Sequence, residues 1–257
     1  RYIEPSCGYV CGYTRTVHAP PFSRLARVYD AIMDDVDYES WSVFMLAVLG
    51  ARGFAGGRVL DLGCGTGNSS LPFVARGFDL VGLDASAEML TVARAKLPSA
   101  SFLHADFETF ALPGRFTLVC SVFDALNNLL TPGAFARMAA RVYRQLEPGG
   151  FFMFDANTRA GLRDLWEAGR AEGWAGAVYY RWEHAFDETT GLARVEAYCE
   201  DEAGAFTEVH FERGYDPPEL RALLEEVGFV GVEVLSYPEG CPAEDDEPRV
   251  WVVARKA

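Results

Sequence analysis

The apolar positions between residues 23 and 157 switch repeatedly between the spacing of helices and the spacing of strands. Helical spacing fills 23–52 and returns over 134–146. Short apolar runs predict strands at 58–62, 79–84, 101–106, 116–122 and 150–156. This alternation predicts parallel strands joined by right-handed crossovers, with helices on both faces of one sheet.

After residue 175 the spacing changes to period two, which is typical of antiparallel strands. Three such segments predict a β meander, at 178–187, 192–200 and 205–215. A helix is predicted from Asp216 to about Gly228, followed by strands at 231–237 and 249–255. The predicted organisation is an extended arm, an α/β core, a β-rich insertion and a completion of the core sheet, at 1–22, 23–174, 175–215 and 216–257.

Composition limits the classes of function. The 257 residues carry a formal charge of −14, and half of them are hydrophobic. No nucleic-acid partner is expected, because binding a phosphate backbone needs clustered Lys and Arg. No apolar run reaches the roughly 18 residues of a membrane-spanning helix, and no secretory signal is recognised. We therefore expect no membrane partner and a cytoplasmic location.

The cysteines do not predict a metal site. Cys7 and Cys11 are half of such a site at most, because no second Cys or His pair completes them. Cys64 and Cys120 lie beside or within apolar strands, where thiols usually pack. No metal is expected.

The most informative segment is the glycine loop at 58–68, RVLDLGCGTGN. A strand runs into Gly63, Gly65 and Gly67, and the missing side chains let the backbone turn sharply beside a ligand. The spacing is G-x-G-x-G, whereas the dinucleotide fingerprint is G-x-G-x-x-G. Asp61 before the loop would repel a diphosphate and attract a cation. The loop therefore predicts a ligand with an adenosine-like body and a positive end, which describes S-adenosylmethionine.

A second acid supports this ligand. The run DLVGLD ends in Asp84, 17 residues beyond Gly67. In a βαβ unit, an acid at about this distance reaches the two ribose hydroxyls, each of which can donate a hydrogen bond to it. Asp84 could instead cap the helix that begins at Ala85.

Five blocks of the chain, taken together, identify a family. They are VLDLGCGTGN (59–68), VGLDASAEML (81–90), HADFETF (104–110), FTLVCSVFDALNNLL (116–130) and LEPGGFFMFDAN (146–157). Here the chain resembles the class I S-adenosylmethionine-dependent methyltransferases. The resemblance implies an α/β fold with a Rossmann-like, seven-stranded methyltransferase sheet, helices on both faces and an inserted antiparallel β meander. In small-molecule members such an insertion often covers the substrate pocket. The cofactor implied is S-adenosyl-L-methionine, and the product is S-adenosyl-L-homocysteine.

The resemblance also assigns residues to the cofactor. They are Tyr29, Tyr38, Asp61, Gly63, Cys64, Gly65, Asp84, Ala85, Met89, Asp106, Phe107 and Val122. Asp61 and the loop amides would face the methionine part, and Asp84 the ribose. Ala85 and Met89 would flank the adenine. Asp106 would accept a hydrogen bond from the adenine amine, although Asp-x-Glu after a strand is also ordinary turn chemistry.

Tyr29 and Tyr38 belong to a Tyr-Asp…Asp-Tyr-x-x-Trp segment that is similar to one in small-molecule methyltransferases. There, aromatic side chains close over the methionine end. A cation beside aromatic faces gains about 1–2 kcal/mol when water is excluded. The alternative is that these aromatics, Trp41 above all, only anchor their helix to the core.

The end of the fourth strand bears on the acceptor. It lacks the Asn/Asp-Pro-Pro-aromatic motif of base and amide methyltransferases, so such acceptors are disfavoured. Asp124 and Asn128 lie four residues apart and share a face if the segment is helical. By position both border the transferred methyl group, and Asp124 is the predicted catalytic residue, which would orient an amine or take its proton. Asp124 could instead cap the helix beginning at Ala125.

One face of the first meander strand is rich in aromatic rings, with Tyr180, Trp182, His184 and Phe186. Tyr180 and His184 are predicted to bind the acceptor. The alternative is that this face packs inside the insertion or against a second copy of the chain. His210 alternates with two glutamates and is predicted to be solvated.

Together these patterns predict an enzyme, a methyltransferase that acts on an N or O atom of a small molecule by in-line displacement. Its main tasks would be to align the reactants and to exclude water. The overall pattern looks most like the bacterial group that includes sugar N-methyltransferases. Two alternatives remain, an RNA or protein methyltransferase and a non-catalytic adenosylmethionine-binding protein. The protein is expected to be a monomer or a homodimer.

Overall fold

Strands and helices cover most of the ranges that the computed structural model describes, residues 18–165 and 169–257. In chain order the strands are β1 (His18–Ala19), β2 (Arg58–Leu62), β3 (Asp79–Asp84), β4 (Ser101–His104), β5 (Phe116–Ser121), β6 (Leu146–Asn157), β7 (Arg170–Ala175), β8 (Val178–Asp187), β9 (Leu192–Asp201), β10 (Gly204–Arg213), β11 (Phe229–Leu235) and β12 (Arg249–Lys256). The α-helices are α1 (Tyr29–Ile32), α2 (Tyr38–Gly50), α3 (Leu71–Ala75), α4 (Ala87–Lys96), α5 (Pro132–Gln145), α6 (Arg159–Leu165) and α7 (Pro217–Val227). Cys7 and Cys11 of the predicted arm lie outside the described residues.

Seven of the strands form one mixed sheet in the order β11-β12-β6-β5-β2-β3-β4. Strands β2 to β6 are parallel to one another, and β12 is antiparallel to both β6 and β11. The chain fills the sheet in one direction from β2 and in the other from β5, so the direction switches between these two strands. In open α/β sheets, ligands bind at the carboxyl ends of the strands at such a switch.

The two faces of this sheet bury different helices, because successive side chains of a strand point to opposite sides. From β2, Leu60 packs in a core with Phe135 of α5 and Leu224 of α7. Its neighbour Val59 packs in a second core with Met45 of α2. The predicted α/β fold, with a seven-stranded sheet and helices on both faces, is confirmed.

A separate sheet has the strand order β1-β10-β9-β8-β7. Strands β8, β9 and β10 form the predicted antiparallel meander. β7 adds a fourth antiparallel strand, which period-two alternation does not reveal because Gly173 interrupts its pattern. On one face of this sheet, His184, Val195 and His210 lie side by side on three neighbouring strands.

The continuous helix predicted over 23–52 is wrong. The segment contains a 3-10 turn at Leu25–Arg27, the short helix α1 and, after a break at residues 33–37, the helix α2. A helix cap accounts for the break. The side chain of Asp37 accepts a hydrogen bond from the backbone N–H of Ser40 (2.9 Å) and so caps the start of α2. The acids in the preceding run favour caps and turns over helix interiors.

Neither a membrane span nor a metal cluster is found in the described part of the chain. None of its helices is long and apolar enough to cross a membrane. Within the same residues, no group of three or more His, Cys, Asp or Glu side chains is arranged to hold a metal ion.

Candidate active site

Two adjoining cavities open where the switch in strand direction predicts a ligand. The first has a volume of about 360 Å³ and lies at the ends of the strands that carry the glycine loop, Asp84 and Val122. The second has a volume of about 350 Å³ and lies between that edge and one face of the separate sheet. Four residues line both cavities: Phe22, Tyr29, Phe123 and Asn128. A molecule in one cavity is therefore next to a molecule in the other.

The first cavity collects most of the predicted cofactor residues. From that set it is lined by Tyr29, Tyr38, Gly63, Cys64, Gly65, Asp84, Ala85, Met89, Asp106, Phe107 and Val122. Asp61 is the member of the set that does not line it. The predicted residues come from four strand ends and the N-terminal segment, and the fold brings them together around one space.

The glycine loop is held close to the sheet and to the opposite wall. The N–H of Gly63 donates to the carbonyl of Leu83 on the neighbouring strand (2.8 Å). Gly63 has a positive φ of 79°, and a Cβ there would lie 2.7 Å from the Cβ of Ala125. Gly65 also has a positive φ, but a Cβ there would meet no atom within 4 Å. Gly63 is thus required by packing, whereas the space beside Gly65 is open to a ligand.

Asp84 stands beside this loop with its carboxylate only partly used. Its Oδ2 accepts from the N–H of Gly65 (2.9 Å) and its Oδ1 from the N–H of Ser86 (2.8 Å). Burial raises the pKa of Asp84, and these N–H donors oppose that rise. Each carboxylate oxygen can accept a further hydrogen bond. The alternative that Asp84 caps α4 is wrong, because Ser86 does so by accepting from the N–H of Met89 (3.1 Å).

Asp61 lies under the loop, not in the cavity wall. Its side chain is fully buried, and its Oδ2 accepts from the hydroxyls of Ser69 (2.7 Å) and Ser70 (2.6 Å). Burial raises the pKa of Asp61 to about 6, against the effect of these hydroxyls. Among the described residues its Oδ1 has no hydrogen-bond partner. The Asp61 carboxylate therefore holds the residues that follow the glycine loop and does not itself line the cavity.

Asp106 lines the first cavity and also makes the turn contact of the alternative. It follows the end of β4 at His104 and lines the first cavity. Its Oδ1 also accepts from the N–H of Glu108 (2.8 Å), which is the turn chemistry of the alternative. The turn fixes the direction of the carboxylate beside Phe107, which lines the same cavity.

The two tyrosines sit on a segment that is fastened to the glycine loop. Tyr29 and Tyr38 hydrogen-bond to each other, and burial raises the pKa of both. Asp30, next to Tyr29, accepts from the hydroxyl of Thr66 (2.6 Å) and pairs with Lys96 (2.7 Å). The packing alternative is also partly realised, because the Tyr38 ring touches that of Trp41, with centroids 5.7 Å apart.

Asp124 belongs to a charged network at the wall of the second cavity. Its Oδ1 pairs with Nη2 of Arg249 (3.1 Å), and its Oδ2 accepts from Nδ2 of Asn157 (2.8 Å). Arg249 also pairs through Nη1 with Oδ2 of the fully buried Asp155 (2.9 Å). Asp124 precedes the 3-10 turn at Ala125–Asn128 without capping it through its side chain, so the capping alternative is wrong.

Strained backbone also concentrates at these cavities. Within the described residues, the non-glycine residues with positive φ are Phe22 (58°), Phe123 (62°) and Asp124 (50°). All three line one cavity or both. Such conformations cost on the order of 1–3 kcal/mol each and persist where the surroundings enforce them. At Asp124 the positive φ is held by a hydrogen bond from its own N–H to the carboxylate of Asp155 (3.2 Å).

The predicted acceptor residues of the meander separate in the structure. His184 lines the second cavity, and burial lowers its pKa to about 4, so the ring is neutral at pH 7. Tyr180 lines neither cavity. It packs against a cluster that contains Leu25, Val28 and Phe206, which is the packing alternative.

Sequence reasoning missed several residues of the second cavity: Phe22, Trp182, His210, Glu212 and Arg249. The prediction that His210 is solvated is wrong, since it is only 5% exposed. Alternation along β10 does identify two faces, but it suggests that the charged face is outside. The charged face of β10 points inward because it packs against the second cavity and the N-terminal segment. The residues that form these two features are distant from β10 in the sequence.

Glu208 joins that N-terminal segment to the separate sheet. Its fully buried carboxylate accepts from the backbone N–H groups of Phe22 (2.7 Å), Arg24 (2.6 Å) and Leu25 (2.9 Å). Burial raises the pKa of Glu208, but the nearby His210 ring (Nε2 to Oε2, 3.4 Å) and the N–H groups of Leu25 and Arg24 outweigh it, so the net pKa is lowered. The ionised form thus holds Phe22 in both cavity walls.

We expect Glu208→Gln to loosen this segment. A depressed pKa means that the ionised carboxylate adds stability above its ordinary pKa, and that this stability disappears as pH falls through the lowered value. The variant should therefore have a lower Tm than the parent at pH 7, and the difference should shrink toward pH 4. It should also be cut faster by trypsin at Arg24 and Arg27. Glu200→Gln, at an exposed position of β9, is the matched control. Equal trypsin cleavage of both variants would contradict the anchoring role.

Comparisons with known proteins agree with this fold and site. A model of the methyltransferase domain matches residues 59–150. The chain is 29% identical over 216 residues to a Bacillus subtilis (strain 168) protein described as a methyltransferase, YqeM, covering 81% of this chain and 86% of that one. It is 30% identical over 188 residues to a trans-aconitate 2-methyltransferase of Acidovorax sp. (strain JS42), covering 70% of each. The sugar N-methyltransferase KedS8 from Streptoalloteichus sp. ATCC 53650 superposes with a TM-score of 0.71 at 20% identity, over 98% of this chain and 99% of that one.

The protein belongs to the class I S-adenosylmethionine-dependent methyltransferases. Three findings support this assignment to the family. The sheet has a switch point, the glycine loop lies beside it, and the chain is 30% identical to a methyltransferase of which it covers more than two thirds.

Proposed function

We propose that this protein transfers a methyl group from S-adenosylmethionine to an N or O atom of a small molecule. The observation that carries the proposal is the pair of adjoining cavities. One has the loop and acids that suit the cofactor, and the other is enclosed by a separate sheet and is of small-molecule size.

The residues of the first cavity fit the cofactor. Asp84 has acceptor capacity left for two ribose hydroxyls, and the space beside Gly65 is open for the methionine part. Asp106 can accept a hydrogen bond from the adenine amine, and Phe107 can cover the adenine ring. When bound, the cofactor supplies an activated methyl group on a positively charged sulfur. Tyr29 and Tyr38 then offer aromatic faces to that charge.

The residues of the second cavity would align the acceptor. Phe22 and Phe123 form the boundary between the two cavities and exclude water from the line of transfer. Asp124 and Asn128 reach this boundary from the end of β5. Because the Asp124 carboxylate already accepts from Arg249 and Asn157, it is suited to orienting the acceptor.

A small acceptor is favoured over a macromolecule by the same features. The separate sheet covers the second cavity, and the chain carries an excess of 14 acidic charges, which opposes a phosphate backbone. Salt-sensitive binding of bulk tRNA in a filter assay would favour an RNA acceptor. Tight binding of S-adenosylmethionine without formation of S-adenosylhomocysteine across all acceptors would favour a non-catalytic role.

The test is turnover. The protein is incubated with S-adenosylmethionine and a panel of small amines, alcohols, phenols and carboxylates, and S-adenosylhomocysteine is quantified. For the acceptor found, Asp124→Asn is expected to lower kcat/KM roughly 100-fold by disturbing orientation or proton transfer. The KM for S-adenosylmethionine should stay within about threefold. Asp246→Asn, an exposed loop acid, is the control. Full activity of Asp124→Asn with every acceptor would remove Asp124 from the mechanism.

A further inference from the structure

More carboxyl groups than guanidinium groups lie at the second cavity. Its described walls and the side chains paired with them include the carboxyl groups of Asp124, Asp155 and Glu212. The guanidinium of Arg249 is the positive group among them, and it is shared between Asp124 (3.1 Å) and Asp155 (2.9 Å). Its Nε donates to Asn157 (3.2 Å). The donors of Arg249 therefore contact Asp124, Asp155 and Asn157, and among the described residues none of them donates a hydrogen bond to Glu212.

Among the described residues, Glu212 is the cavity carboxyl group with a buried oxygen that has no hydrogen-bond partner. It lies on the inner face of β10, its Oε2 is buried, and this oxygen has no hydrogen-bond partner among the described residues. Burial raises its pKa, the charge of Asp124 raises it further, and Arg249 opposes both. His184 on β8 lines the same cavity but is neutral at pH 7, so it does not neutralise a carboxylate.

Aromatic rings surround the same space. Phe22, Tyr29, Phe123 and Trp182 line the cavity together with Glu212. Aromatic faces attract cations when water is excluded, and a buried carboxylate without a partner costs free energy until a cation or a hydrogen-bond donor arrives. The walls thus have the composition of a cation site.

We propose that Glu212 binds the methyl acceptor as a protonated amine and takes its proton. The inference rests on the proposed function and deepens it, because it selects an amine over an alcohol. It also assigns to Glu212, and not to Asp124, the contact with the amine's charge.

The chemistry balances with the groups present. The ammonium form of the acceptor enters between Glu212 and the rings, and one N–H proton moves to the Glu212 carboxylate. The freed lone pair on nitrogen attacks the methyl carbon across the boundary at Phe22 and Phe123. This attack forms the N–C bond and breaks the C–S bond, whose electron pair stays on sulfur. The methylated amine leaves as a cation, and Glu212 returns its proton to water.

The first experiment measures charge selection without turnover. Choline is a quaternary ammonium ion that fits a cavity of about 350 Å³, and 3,3-dimethyl-1-butanol is its neutral isostere. Binding of both to the full chain, without nucleotide, is followed by calorimetry and by Trp fluorescence. We expect choline to bind at least about tenfold more tightly than the neutral probe. Equal affinity, or no binding of either probe, overturns the proposal.

Two variants assign the selection to Glu212. Glu212→Gln is expected to reduce the preference for choline to less than about twofold without lowering the Tm. Burial raises the pKa of Glu212 to about 8, so the amide replaces a group that is already largely neutral at pH 7 and removes only the capacity to ionise beside a cation. Glu202→Gln, on the exposed turn before β10, should keep the full preference. If Glu212→Gln does not fold, Glu212→Asp replaces it, and the shorter side chain should weaken choline binding about fivefold. Retained selection in the folded Glu212 variant overturns the proposal.

A turnover arm separates this inference from the proposed function. Cyclohexylamine and cyclohexanol are compared by release of S-adenosylhomocysteine, with the amine expected to react at least about tenfold faster. Faster reaction of the alcohol overturns the role of Glu212 and leaves the methyltransferase function intact. Choline selection that depends on Glu212, with no product from any acceptor, supports the cation site and contradicts the proposed function.

Discussion

Asp84→Asn is expected to weaken binding of S-adenosylmethionine on the order of 100-fold. The substitution removes the negative charge of the carboxylate, which would accept hydrogen bonds from two ribose hydroxyls. A hydrogen bond to a charged group contributes about 1.5–3 kcal/mol. It also weakens the contacts to the N–H groups of Gly65 and Ser86 that hold the glycine loop. Calorimetric titration with S-adenosylhomocysteine measures the affinity without turnover.

The same strand provides a control for this experiment. Asp79 begins β3, as Asp84 ends it, and its side chain is 74% exposed in a pair with Arg58 (3.3 Å). An exposed pair of this kind contributes little to stability. Asp79→Asn should therefore leave both the affinity and the Tm unchanged. If Asp84→Asn bound within about threefold of the parent, the assignment of Asp84 to the ribose would be wrong.

Arg249→Met is expected to cause the largest loss of stability, about 3–5 kcal/mol, because it leaves buried carboxylates without a counter-charge. For a chain of this length that corresponds to a fall in Tm of roughly 10 °C. The fully buried Asp155 loses its ion pair, and Asp124 loses one of its two partners. Thermal unfolding of the variant measures the effect.

The loss should depend on pH in a defined direction. Burial already raises the pKa of Asp155 to a value above its ordinary one, and Arg249 opposes that rise. Without Arg249 the folded-state pKa rises further, and a carboxyl group with a raised pKa favours folding at low pH and opposes it as pH increases. The deficit of Arg249→Met should therefore be larger at pH 8 than at pH 5, and adding Asp155→Asn should recover part of it.

A second arginine on β12 tests whether the effect belongs to the site. Arg255 is exposed, and its Nε donates to the carbonyl of Gly149 (3.1 Å). Arg255→Met should change the free energy of unfolding by less than about 0.5 kcal/mol. An equal deficit of Arg249→Met at both pH values would show that lost packing, and not uncompensated charge, dominates.

The predicted residues of the first cavity could be found from the sequence because their signals are short-range. Gly63, Gly65 and Asp84 lie within one βαβ unit, whose geometry relates a loop to the acid at the end of the next strand. Their residue types are set by backbone chemistry that local spacing records. Asp61 shows the limit of that reasoning: its position in the motif is local, but the hydroxyls that hold it under the loop become visible only in the fold.

The residues of the second cavity were not predictable in the same way. Asp124, Glu212 and Arg249 come from three elements that are separated by 37 or more residues in sequence. Period-two alternation on β10 shows that two faces exist, and the inward face is decided by what packs against it. The N-terminal segment fills part of that face through Glu208, and the cavity fills the rest.

The sequence by itself therefore determined the fold class, the methyl donor and about half of the residues that line the first cavity, because strand and helix periods and the glycine loop are local properties of the chain. Only the tertiary structure decided which charged groups meet at the second cavity. Antiparallel pairing puts β12 beside β6, so that Arg249 joins Asp124 and Asp155. The separate sheet closes over this group and, among the described residues, leaves Oε2 of Glu212 without a hydrogen-bond partner. Burial and charge compensation depend on every element packed around a group.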